Sequence, residues 1–250
     1  ARSGLLFDDN KQAYLFLHYS CLCTCLYRNK HTRNHTHGTY LFSLKSGQSA
    51  YSALSSLGYN CSIIDLIKED VKYVTETLKR FRINLAFLAL HGGFGEDGRA
   101  QEILENLGIP YTGSGPCASR AALDKIASRK IFNSKGIKIP RYVLLNNKRS
   151  GQLLKDKGYF LNSFRFPLIV KPSSEGSSIG VSFVSDLSQL EAAIKLARKY
   201  DDRVMVEEFI QGKEVTVGIL DNRPLPVIRI ISRRDFFDYQ SKYEKGLTVY

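Results

Sequence analysis

Apolar positions recur with a regular period from Ser43 onward, whereas residues 1–40 show no helical or strand period and no capping residue. Ala50, Leu54 and Leu57 fall on one face of Lys45–Leu57, and Gly58 follows as a stop, so a short helix is predicted there. Cys61–Leu66 reads as a strand and Val71–Phe81 as an amphipathic helix. Asn84–Leu90 reads as a buried strand running into a glycine-rich turn, and Arg99–Leu107 as a helix stopped by Gly108. Strand and helix in alternation predict a parallel, Rossmann-like α/β sheet.

Past Gly113-Ser114-Gly115-Pro116 the pattern predicts a helix over Ala118–Lys135, closed by Gly136 and Pro140. Strands at Tyr142–Leu145 and Pro167–Lys171 follow, separated by a polar surface loop at Arg149–Asn162. The small-residue loop Pro172–Gly180 leads into a strand at Val181–Val184. Asp186 with Gln189 makes a capping box for a helix that places Leu190, Ala193, Ile194 and Ala197 on one side. Val204–Tyr250 reads as β-rich, with a hairpin turning at Asp221-Asn222-Arg223-Pro224. The resulting division is residues 1–40, atypical; 41–116, an α/β domain; 117–203, a central lobe; and 204–250, the start of a further lobe.

Composition narrows the class. The chain has 250 residues, 43% apolar and 24% charged, which suits a globular protein with a sizeable core. No run reaches the roughly 18 apolar residues of a membrane span; the longest, Ala13–Leu26, is broken by His18, Ser20 and Thr24. A leader peptide is not expected, because Asp8 and Asp9 precede that run. The net charge of +12 points to an anionic partner or to surface solvation. The basic residues are dispersed, and the cluster Arg28–Arg33 lacks interleaved aromatics, so nucleic acid is not the expected partner. Five cysteines without paired spacing fit a reducing compartment. Cys21, Cys23 and Cys25 stand in C-x-C spacing ahead of His31, His35 and His37, which is wrong for a structural zinc site.

Three stretches carry candidate chemistry. In Lys171-Pro172-Ser173-Ser174-Glu175-Gly176-Ser177-Ser178-Ile179-Gly180 a strand-end lysine precedes small residues whose amides can approach phosphate oxygens, although a plain hairpin loop has the same look. In Val204–Ile210, alternation puts Glu207 and Phe209 on one face and Glu208 on the other. Glu214 beyond them can accept from a ribose diol, and an edge strand guarded by charge is the alternative. His91-Gly92-Gly93-Phe94-Gly95-Glu96-Asp97-Gly98 sits at the carboxyl end of a predicted strand, where open α/β sheets bind ligands. Its four glycines suit close approach to something small, or a tight structural turn.

These residues, together with Gly108–Gly115, Asp124-Lys125, Val170-Lys171-Pro172, Phe237-Asp238-Tyr239 and Lys242-Tyr243, resemble the D-alanine–D-alanine ligases in order and spacing. The resemblance runs from about Ser43 to Tyr250, more than four-fifths of the chain. It implies an ATP-grasp fold and a cytoplasmic, commonly dimeric enzyme of peptidoglycan synthesis. ATP would phosphorylate one D-alanine, and a second D-alanine would displace the phosphate. Mg²⁺, or Mn²⁺ in its place, would assist. By the same resemblance Lys125 and Lys171 would contact the phosphates, and Glu175, Gly176, Ser177 and Ser178 would form the loop over them. Glu207 and Ile210 would lie at the adenine, Glu214 at the ribose and His91 at the first D-alanine's carboxylate. Ser177 and Tyr243 would form a hydrogen-bonded group beside the substrates, with Lys242-Tyr243 on a mobile loop. A tyrosine at 243 favours the dipeptide over an ester product.

The chain departs from the family pattern at both ends. The family's glutamate for the first D-alanine's ammonium falls on uncharged Thr39, which points to a shifted reading frame or a mispredicted exon upstream. The family's metal ligands are expected beyond residue 250, so the chain as it stands is expected to turn over little, and strands at 214–220 and 225–231 to keep an open edge. Alternative readings are a non-catalytic ATP-binding remnant and an ATP-grasp ligase for another amino- or hydroxy-acid acceptor.

Overall fold

The computed structural model describes residues 14–19, 33–146, 164–220, 222–233, 246 and 248–249. Outside them lie the Cys21–Cys25 stretch, the expected surface loop at 149–162, Phe237–Tyr239 and the Lys242-Tyr243 pair. The chain divides into two compact units, with the boundary between Leu123 and Asp124.

The first unit is a parallel sheet of order β2(Cys61–Leu66)–β1(Tyr14–Tyr19)–β3(Leu85–Leu88). Helices α1(Arg33–Ser56), α2(Val71–Phe81), α3(Gly93–Glu96), α4(Arg99–Asn106) and α5(Pro116–Leu123) complete it. Asp70 starts α2 by accepting from the Tyr73 amide at 2.8 Å. Val74 and Leu78, one turn apart, bury against Ile64, Leu66, Phe94 and Leu104. The aperiodic reading of residues 1–40 is corrected here: Tyr14–Tyr19 is the central strand, and α1 begins at Arg33 rather than Lys45. A strand with parallel partners on both sides needs no polar alternation, so period 2 is absent from its sequence.

Two glycines of the His91–Gly98 stretch serve the unit's own packing. A Cβ on Gly95 would lie 2.2 Å from the Leu90 Cβ, and one on Gly98, at φ +91°, would lie 2.4 Å from the Pro116 carbonyl oxygen.

The second unit is built on an antiparallel sheet of order β4(Tyr142–Leu145)–β7(Val204–Glu208)–β5(Leu168–Pro172)–β6(Ser182–Val184). Helix α7(Leu187–Ala197) covers one face, where Leu168, Val170, Val204 and Val206 pack with Leu190 and Ile194. Asp186 caps α7 through the Ser188 amide, while the Gln189 side chain accepts from the Ser185 amide, one residue upstream of the expected box. The helix expected over Ala118–Lys135 is two helices, α5 and α6(Lys125–Ser134). Asp124 breaks it: its backbone is extended and its carboxylate accepts from the amides of Ile126 and Ala127 at 2.8 and 3.1 Å.

Beyond β7, β8(Glu214–Thr216) pairs with β11(Ile228–Ser232), which also pairs with β12(Thr248–Val249). The expected hairpin joins β9(Ile219–Leu220) to β10(Arg223–Pro224). Val215, Ile219, Leu220 and Val227 of this region are exposed. Among the described residues no helix is long and apolar enough to cross a membrane.

Candidate functional site

Strand alternation sends Lys171 and Glu207 to the sheet face opposite α7. Strand β7 lies between β4 and β5, which removes the edge-strand reading of Glu207. The Glu207 carboxylate is buried and fully engaged: Oε1 accepts from Lys171 Nζ and Oε2 from Arg129 Nη2. Arg129 reaches it from α6, with its guanidinium 5.2 Å from the centre of the Tyr142 ring.

Lys125, at the start of α6, sits on the same side as Arg129, one turn away. Its amide donates to the Ser173 carbonyl at 3.0 Å, and its Nζ donates to the carbonyls of Ser173 and Glu175. Burial, and then the neighbouring Lys171, push the Lys125 ammonium down to about 8, although the carboxylates of Glu175, Glu207 and Asp201 act in the opposite direction. Lys125 and Lys171 thus bring two ammonium groups close together at the foot of the β5–β6 loop, beside the buried Glu207 carboxylate.

The loop between β5 and β6 has a rigid stem and a strained tip. Ser173 is fully buried; its amide donates to the Arg203 carbonyl at 3.0 Å. Ser174 donates its amide to Asp201 Oδ2 at 3.0 Å. At the tip, Ser177 and Ser178 hold φ of 48° and 61°, the left-handed region, at roughly 1–2 kcal/mol per residue. Gly180, at φ +67°, closes the loop against Tyr200 and Pro172, whose atoms would lie 2.6 and 2.8 Å from a Cβ. Gly180→Ala is expected to destabilise the chain by about 1–3 kcal/mol, read by urea denaturation.

Asp124 and Arg203 complete the surroundings. Burial pushes the Asp124 carboxyl up, but Arg203 and the amides of Ala127 and Ile126 pull it further down, leaving it below the usual carboxylate range.

Past the end of β7, Phe209 meets Phe183 edge-on with ring centres 5.2 Å apart. Ile210 follows, 60% exposed, and Glu214 opens β8 with an exposed side chain. In the first unit, the His91 amide donates to Ser43 Oγ at 3.0 Å, His91 Nε2 lies 3.0 Å from Ser46 Oγ, and Nδ1 lies 3.9 Å from Glu96.

Of the residues predicted from sequence, Lys125, Lys171, Glu175 and Glu207 come together in the second unit. Ser177 and Ser178 lie in the adjoining loop, and His91 lies in the first unit. Lys242 and Tyr243 lie outside the described residues. Sequence reasoning passed over Arg129, Arg203, Ser43 and Ser46. The spacing of Lys125 and Arg129, four residues apart on a helix, was a usable signal.

Solved structures share this architecture. The chain aligns with the D-alanine–D-alanine ligase from Bacillus anthracis at TM-score 0.68 and 30% identity, over 95% of this chain and 70% of that one. The same enzyme complexed with ATP aligns at TM-score 0.67 and 29% identity, over 90% and 68% of the two chains. The fold is that of the ATP-grasp proteins.

In sequence, residues 70–114 match the family described as D-ala D-ala ligase N-terminus, and residues 131–250 that described as D-ala D-ala ligase C-terminus. A D-alanine–D-alanine ligase of Syntrophotalea carbinolica is 44% identical over 208 residues, 83% of this chain; the chain spans 64% of that relative's length. The chain belongs to the D-alanine–D-alanine ligase family.

Proposed function

We propose that the protein joins two D-alanines at the expense of ATP, in the cytoplasm and for peptidoglycan synthesis, acting as a homodimer. The observation that carries this reading is the convergence of Lys125 and Lys171, two largely buried ammonium groups gathered at the base of a serine-glycine loop whose tip holds Ser177 and Ser178 in left-handed conformation. In the reaction the γ-phosphoryl group passes from ATP to a carboxylate oxygen of the first D-alanine. The amine of the second then attacks that carbonyl carbon, a C–N bond forms, inorganic phosphate leaves with the C–O electron pair, and the amine gives up a proton. Such chemistry asks for alignment and charge neutralisation more than for a protein nucleophile.

Lys125 and Lys171 would neutralise the phosphates, and Glu175, Gly176, Ser177 and Ser178 would shield them from water. Glu207 and Ile210 would receive the adenine and Glu214 the ribose, with His91 at the first D-alanine's carboxylate. Ser177 and Tyr243, with Lys242, would order the acceptor. Among the described residues no group of three or more His, Cys, Asp or Glu side chains is placed to hold the family's Mg²⁺.

The test supplies the chain with ATP and with D-alanine, L-alanine or D-lactate, and follows ADP and dipeptide together. ADP and D-alanyl-D-alanine in equal amounts, formed with D-alanine only and slowly by the chain as it stands, are expected. ATP binding by calorimetry without ADP formation supports the binding-only reading, and preference for another acceptor reassigns the substrate. Absence of ATP binding defeats the proposal.

A further inference from the structure

Arg203 links three parts of the second unit that are distant in sequence. One guanidinium nitrogen donates to Asp124 Oδ2 at 2.9 Å, at the start of the helix carrying Lys125. Another donates to Ser174 Oγ at 2.6 Å, at the start of the serine-glycine loop. Its backbone nitrogen donates to Asp201 Oδ1 at 2.9 Å, and its carbonyl accepts from the Ser173 amide. Asp201 closes the circuit through its other oxygen, which accepts from the Ser174 amide. The two residues that lead into the loop are thus tied on every side, and the tip beyond them holds two serines in left-handed conformation. Strained backbone of this kind persists only where its surroundings over-determine it.

We propose that Arg203 is a positioning residue that fixes the loop stem against the Lys125 helix, setting the phosphate end of the nucleotide site. The inference rests on the reading of that site given above. Arg203 acts through its neighbours and not by touching the nucleotide. As a half-exposed ion pair it adds little to global stability. What it adds is geometry: its planar fork holds two donor nitrogens apart in fixed directions, one toward Asp124 and one toward Ser174, whereas an ammonium offers all its donors from a single nitrogen.

The prediction separates position from mere structure by comparing ATP with AMP, since AMP lacks the phosphates the loop would cover. Arg203→Ala is expected to weaken ATP by about tenfold, the equivalent of one lost charged hydrogen bond, and AMP less than twofold. Arg203→Lys should recover part of the ATP affinity. Ser174→Ala removes one acceptor alone and should show the same selectivity at smaller amplitude, which keeps the test open if Arg203→Ala folds poorly. Amides of residues 174–178 should exchange with deuterium faster in both alanine variants. Equal weakening of ATP and AMP, or unchanged ATP affinity with unchanged exchange, overturns the inference. If the parent chain itself binds no ATP, the functional reading fails first, and the comparison of variants with parent tells the two failures apart.

Discussion

Glu207→Ala is expected to lower the free energy of unfolding by about 3–5 kcal/mol, seen as a lower urea midpoint at unchanged slope. The carboxylate is 7% exposed, and its two cationic partners, Lys171 and Arg129, are 16% and 11% exposed. Deleting it leaves Lys171 and Arg129, both largely buried, without the carboxylate they share. An unpaired buried charge loses its hydration and regains nothing, which is why breaking such a group costs far more than the group contributes when intact. Glu207→Gln keeps volume and one acceptor oxygen and should fall between the two. The triple replacement Lys171→Met, Arg129→Met, Glu207→Leu should recover most of the stability while abolishing ATP binding, because matched apolar packing often equals a buried ion pair. Salt should change none of these values appreciably, since screening acts on exposed pairs. A loss below 1 kcal/mol that shrinks further in salt would mean that the triad is a surface feature.

The same side chains show what the sequence could disclose. Strand Cys61–Leu66 and helix Val71–Phe81 were legible to the residue, because Asp70 marks a start and Val74 and Leu78 recur one turn apart. The split at Asp124 was not. Ala121-Ala122-Leu123 before it and Ile126-Ala127 after it read as one helix, and only the carboxylate's turn toward the two following amides shows the restart. The central strand Tyr14–Tyr19 escaped because period 2 belongs to strands with one wet face.

For the candidate site, composition marked the lysine, the small-residue loop and the glutamate strand. Their convergence needed the register of β5 and β7, which places Ile169 opposite Glu207 and so sets Lys171 beside it on one face. Arg203 carried no local signal, since its partners Asp124 and Ser174 lie 79 and 29 residues away in the chain.

ATP affinity should fall as pH rises above about 8, where the folded chain loses the Lys125 proton, by up to tenfold per pH unit until the nucleotide-bound pKa is passed. Phosphate oxygens favour the charged ammonium, so binding takes up a proton in that range. The nucleotide's own second phosphate ionisation, with a pKa of about 6, is complete there and contributes no slope. Stability without nucleotide moves the other way. The folded value lies below the usual 10.5, so between about 8 and 10.5 the unfolded chain binds more protons at this position. Stability attributable to this position therefore rises with pH through that window, as the cost of burying the charge disappears. Saturating ATP should cancel this rise, because the bound phosphates restore the ammonium. Lys125→Arg supplies the control: a guanidinium stays charged throughout, so affinity should lose its pH slope even if its absolute value drops. Calorimetric titrations at pH 7, 8, 9 and 9.5, in two buffers of different ionisation enthalpy, count the protons directly. Uptake of a proton near pH 9 in the parent and none in the arginine variant is the expected pair of results. A flat affinity across the series would mean that Lys125 does not meet the phosphates, and that its positive charge is satisfied within the protein itself.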